Sequence, residues 1–88
     1  MKRNADFLLR EVAGKQVVVP VGKAVAGFPG MITLNGSGAY LWQLLETEQT
    51  ADSLADALAG KYEIDRETAY ADVLKFLDKI RPTGAIIE

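Results

Sequence analysis

Three carboxylates on one predicted helix, Glu67, Asp72 and Asp78, are the nearest thing to catalytic equipment in this 88-residue sequence. General acid–base work needs positioned groups within reach of one substrate, whereas these three are out of helical phase and read as solvated. There is no histidine, which removes the usual proton shuttle near neutral pH and the commonest metal ligand. There is no cysteine, which removes disulfides, thiolate metal sites and a thiol nucleophile. No glycine-rich loop follows a strand and opens a helix as a phosphate cradle requires. The side chains thus indicate no enzyme, no metal site and no cofactor.

The chemistry that remains belongs to the backbone. "MITLN", residues 31–35, reads as a short strand running straight into a helix. By pattern alone it is either an interior strand or an edge strand. An uncovered edge presents unpaired N–H and C=O groups to any extended chain that arrives, and proteins usually discourage this with charge or proline. "MITL" contains neither.

The elements that would position this strand can be read from periodicity. "DFLLREVAGKQVVVPV" reads as a hairpin turning near Gly14-Lys15, with Val17, Val18 and Val19 supplying β-branched character and Pro20 at the strand's end. "GKAVAGFPG", with three glycines and a proline, reads as a loop of nine residues, and "GFPG" as a tight connection. Asn35 is a helix N-cap, and Gly38, Leu41, Trp42 and Leu45 then fall on one helical face, which places Trp42 in the core. Thr50 caps a second helix carrying Ala51, Leu54, Ala55 and Leu58, with Gly60 as its stop signal. Asp65 caps a third, whose buried stripe is Ala69, Val73, Phe76, Leu77 and Ile80, ended by Pro82 and Gly84. "AIIE" is a closing strand or a tail packed on the core. Tyr70 and Leu74 widen the third helix's apolar stripe, as core or as groove.

Strands grouped before helices give an α+β fold, a three-stranded antiparallel sheet followed by three helices, and the same order suits a winged helix-turn-helix-like domain. The length allows a single domain, residues 1–88. Apolar residues make up 49% and charged residues 25%, ordinary for a soluble globular chain. No run is apolar and long enough to cross a bilayer, and Asp6, Arg10 and Glu11 interrupt anything like a signal peptide, so the expectation is a cytoplasmic protein with no membrane partner. Net charge is −2 and unevenly spread. Residues 1–34 carry five basic and two acidic groups, and residues 46–67 two basic and seven acidic, the latter read as a solvated face.

The ordered set Leu34-Asn35, Ala39, Leu41-Trp42, Leu44-Leu45, Thr50, Tyr62, Asp65, Asp72-Val73, Phe76-Leu77 and Gly84 resembles the family of coenzyme PQQ synthesis protein D across residues 6–87. The resemblance implies a peptide-recognition domain that binds the leader segment of a precursor peptide and presents it to a modifying enzyme, often of the radical-SAM type. It implies that the leader adds as a strand along Met31, Ile32, Thr33 and Leu34, with its side chains against Tyr70, Val73, Leu74 and Leu77 of the third helix. One departure stands out: "GKAVAGFPG" replaces the short acidic-glycine turn of members closest to the PQQ pathway, so peptide recognition is the firmer implication.

The alternative reading is a winged-helix DNA-binding or regulatory domain. Residues 66–81 carry Arg66, Lys75, Lys79 and Arg81 against Glu67, Asp72 and Asp78, and interspersed acids suit a phosphate-contacting recognition helix poorly, so no nucleic-acid partner is expected. A free edge also permits weak homodimers, so the expected state is a monomer or a weak homodimer.

Overall fold

The computed structural model describes residues 1–28 and 30–88, so Pro29, and with it part of the expected "GFPG" connection, lies outside the described residues. Three strands form the main sheet in the order β2-β3-β4: Phe7–Val12, Lys15–Pro20 and Ile32–Leu34, each antiparallel to its neighbour. Three helices follow, α2 (Gly36–Leu44), α3 (Ala51–Tyr62) and α4 (Arg66–Ile80), so the α+β order and the antiparallel sheet are as expected. The closing segment resolves into a strand, but not of this sheet. β5 (Ile86–Ile87) pairs with β1 (Lys2–Arg3), a strand the sequence pattern did not signal, in a separate two-stranded ladder.

The β2–β3 hairpin turns at Ala13-Gly14, where φ is 52° and 79°. Two successive positive φ values match the right-handed twist of the flanking strands, which is why two-residue hairpins favour this turn. Gly14 adopts it freely, whereas Ala13 carries a Cβ in the left-handed region.

Two boundaries differ from expectation. Within the expected loop, Ala24–Gly27 winds into one helical turn, α1, closed by the Phe28 N–H donating to the Ala24 carbonyl at 2.9 Å. Ala24 and Phe28 pack against the core, and that burial favours the turn over open loop. Gly60 does not stop α3, which continues to Tyr62 and ends at Glu63 with φ 53°. The last turn is held by contacts glycine cannot veto: Tyr62 meets the Tyr40 ring edge-on at 6.2 Å, and the Lys61 ammonium lies 5.3 Å from that ring's centre.

All three expected caps form. Asn35 Oδ1 accepts from the Gly38 N–H, Thr50 and Ser53 make a reciprocal capping box, and Asp65 accepts from the Thr68 N–H and hydroxyl. Arg66 then clasps α4 to α3, donating to Asp56 at 2.7 Å and Asp52 at 2.9 Å. Behind these caps, Trp42, Leu41, Leu45, Leu54, Leu58, Val73, Leu77 and Ile80 are essentially inaccessible, and no polar residue is buried among the described ones. Trp42 is therefore core, as its helical phase indicated. On β4 the alternation is clean, with Ile32 and Leu34 inward and Thr33 outward.

Two tests follow from the turn and the cap. Ala13→Asn, giving the favoured Asn-Gly pair, is expected to raise stability by about 0.5–1 kcal/mol in urea titrations, because the Asn side chain hydrogen-bonds the local backbone and so tolerates positive φ better than Ala. The Thr68 N–H and hydroxyl hold the Asp65 carboxyl below its ordinary 3.8. A depressed carboxylate stabilises the fold fully above its unfolded value and loses that contribution as pH falls through the folded one. The stability gap between the native chain and Asp65→Asn, followed by urea denaturation, is thus expected to be constant near neutrality and to shrink in strong acid; a gap independent of pH refutes the cap's electrostatic role.

Candidate functional site

β4 pairs with β3 on one side only, through Gln16↔Leu34, Val17↔Thr33 and Val18↔Ile32. Its other side faces α4. The Thr33 carbonyl accepts a hydrogen bond there from Lys79 Nζ, across 46 residues of sequence. In an antiparallel ladder the N–H and C=O of one residue point to the same side, so Thr33 turns both groups away from β3. One is held by the Lys79 ammonium, and among the described residues no strand pairs with the other.

Between this edge and α4 lies a cleft of about 640 Å³. Leu34, Gly38, Leu41 and Phe76 give it an apolar floor continuous with the core. Lys15, Lys75 and Lys79 line its walls with Asp72 as the single carboxylate, and Asn35 and Ser37 close the end at the start of α2. None of the three lysines takes part in an ion pair among the described residues, and neither does Asp72. Gly38 permits the floor to be this close to the strand. A Cβ there would stand 3.2 Å from Asn35 Oδ1, tighter than most real contacts, and 3.4 Å from Leu34 Cβ.

The residues expected at the site are only partly brought together. Thr33 and Leu34 line the cleft, Met31 stands 60% exposed just before the strand, and Ile32 points into the core. On α4 the wall of the cleft is a different flank from the expected one. Val73 and Leu77 are wholly buried and form the core under α2 and α3. Tyr70 and Leu74 line a second, shallower depression of about 370 Å³ with Ala71, Arg66, Glu67 and Asp52, and the Arg66 guanidinium lies 5.4 Å from the Tyr70 ring centre. The physical reason is phase: the core stripe has two flanks, and β4 lies beside the one that carries Asp72, Lys75, Phe76 and Lys79. Lys75 and Lys79, four residues apart beside Phe76, were the signal in the sequence for that flank. Lys15 carried none, because it arrives through the β3–β4 pairing.

No cluster of three or more His, Cys, Asp or Glu residues that could hold a metal exists among the described residues, and no helix of the described chain is long and apolar enough to cross a membrane.

These features define a small α+β domain whose sheet ends in a one-sided strand, facing a basic, apolar-floored cleft against its last long helix. The sequence profile of coenzyme PQQ synthesis protein D matches residues 7–86, nearly the whole chain, and the protein belongs to that family. A solved structure of similar fold is TbiB1 in complex with the TbiA(β) leader peptide: the TM-score is 0.73 at 21% identity, covering 97% of this chain and 93% of that one. No curated protein sequence matches the chain.

Core and cleft residues on α4 should separate by substitution. Leu77→Ala is expected to cost about 2–5 kcal/mol in thermal or urea unfolding, because it empties a fully buried site. Leu74→Ala, at 40% exposure, is expected to cost under about 1 kcal/mol. Equal losses at the two positions would contradict the packing.

Proposed function

We propose that the protein is a non-catalytic peptide chaperone: the leader segment of a ribosomally made precursor peptide docks as an added strand on β4, and the domain presents it to a modifying enzyme. The observation that carries this reading is the one-sided pairing of β4 beside the α4 cleft. Family membership supports it, as does the likeness of fold to a protein solved with a leader peptide. The modifying enzyme is of the radical-SAM type in this reading, in the making of a PQQ-like cofactor or another ribosomally derived peptide product. The domain works in the cytoplasm, as a monomer when the edge is free.

The energetics suit transient presentation. An added strand spanning residues 31–35 makes about four backbone hydrogen bonds, each worth roughly 0.5–1.5 kcal/mol net. Those bonds do not read sequence; the side chains of the guest that lie over Leu41 and Phe76 do. Micromolar binding corresponds to about −8 kcal/mol, within reach of such a ladder plus one or two filled apolar contacts. The guest also requires no large rearrangement, since its acceptor and donor at Thr33 already face outward. The second depression, around Tyr70 and Leu74, lies on the other flank of α4 and stays open while β4 is occupied.

The test is a titration of the isotope-labelled protein with the leader segment of a precursor encoded beside it, read by amide chemical shifts. Shifts are expected at residues 31–35 and 72–79, and shifts confined elsewhere would remove the proposal. Thr33→Pro deletes the outward N–H while leaving the hydrogen bonds between β3 and β4 in place. It is expected to weaken binding at least about tenfold, the equivalent of 1.4 kcal/mol, with the circular dichroism spectrum preserved.

A further inference from the structure

Lys79 occupies the position a guest strand must take. Its ammonium bonds the Thr33 carbonyl from the open side, where the first N–H of an incoming strand would donate. Docking therefore evicts the ammonium from its acceptor. Lys79 is exposed and can swing away, but it swings within a cleft that already holds Lys15 and Lys75, against Asp72 alone. The three ammonium groups have no carboxylate partners in ion pairs among the described residues. In a chain whose net charge is −2, this is a local concentration of positive charge beside the β4 edge.

We propose that the docking peptide carries an Asp or Glu facing α4, and that Lys79 exchanges the Thr33 carbonyl for that carboxylate. The inference rests on strand docking at β4 and adds to it the chemistry of the guest. The exchange is favourable because an ammonium–carboxylate hydrogen bond is shorter and roughly twice as strong as one to a neutral carbonyl. It also frees the Thr33 carbonyl for the guest's backbone at the moment the backbone needs it, so ladder formation and charge recognition occur together. Lys15 and Lys75 extend the same selection: a guest with Lys or Arg facing α4 meets three like charges and is rejected. The apolar floor at Leu41 and Phe76 takes a neighbouring guest side chain, so the cleft selects an extended segment in which an acidic residue accompanies an aliphatic or aromatic one.

The experiment selects binders to the full chain from a library of short randomised peptides. The enriched sequences are then measured against their Glu→Gln or Asp→Asn counterparts, with amide shifts locating each complex. The expected result is an acidic residue recurring at one register position, shifts at Thr33 and Leu34, and a loss of about fivefold to tenfold in affinity on neutralising that residue. Added salt should narrow the difference, since the cleft is open to solvent. In Lys79→Met, which keeps the aliphatic stem, the preference for the acidic peptide should fall to about twofold or less, the part that Lys15 and Lys75 sustain. Peptides that engage residues 31–35 with no acidic preference, or whose preference is undiminished in Lys79→Met, overturn the charge inference and leave strand docking standing. Enriched peptides that shift only other residues, or no enrichment at all, overturn both. Tight binding of duplex DNA at the lysines in place of peptide would likewise refute the inference.

Discussion

A single residue, Asn35, separates the end of β4 from the start of α2. Its side chain caps the helix by accepting from the Gly38 N–H, so the backbone leaves the plane of the sheet as soon as the strand ends. Gly38 lets the new helix lie directly against Leu34. The chain consequently has no length in which to fold back beside β4, and the next segments return as helices that pack on the sheet's face. The strand's outer side is left for α4 to approach but not to pair with, since a helix has already spent its backbone groups on itself. The cleft, its apolar floor and its basic walls all derive from that abrupt exit.

Much of this was readable from residue types. The caps at Asn35, Thr50 and Asp65 announce the helices because their side-chain oxygens satisfy amides that nothing else can reach. The buried stripes were set by 3.6-residue spacing, and Trp42 could be placed in the core on that basis alone. The run "MITLN" likewise read as a short strand leading into the first of these caps. What the pattern misjudged was governed by tertiary contact: the last turn of α3 survives Gly60 through the Tyr40–Tyr62 packing, and Ala24–Gly27 coils because Phe28 has a core to lean on. The β1–β5 ladder joins opposite ends of the chain, and two-residue strands have too few positions to show any period.

The site itself was half legible. The strand could be found, since its lack of charge and proline marks an edge left unprotected along its own sequence. The helix face could not, because an amphipathic stripe has two flanks and periodicity says nothing about which one the sheet lies beside. Choosing the more apolar flank, with Tyr70 and Leu74, is the natural reading when a groove is pictured as greasy. The chain instead turns a mixed flank toward the strand, where Phe76 belongs to core and cleft at once and Lys75 and Lys79 bring charge. That division leaves α4 with two differently built sides, one basic and beside the strand, the other aromatic and beside α3.

The Lys79 bond to Thr33 also bears on how two copies of the chain would meet at the same edge. A naked strand is as attractive to a twin molecule as to a guest, and two copies meeting edge to edge about a twofold axis through Thr33 would make a continuous six-stranded sheet. That arrangement would bring each Lys79 and its neighbouring cations towards their counterparts, with Asp72 the single carboxylate that each copy supplies to the cleft. Like charges facing across such a seam repel, so the ammonium that covers the Thr33 carbonyl also weighs against that edge-to-edge pairing.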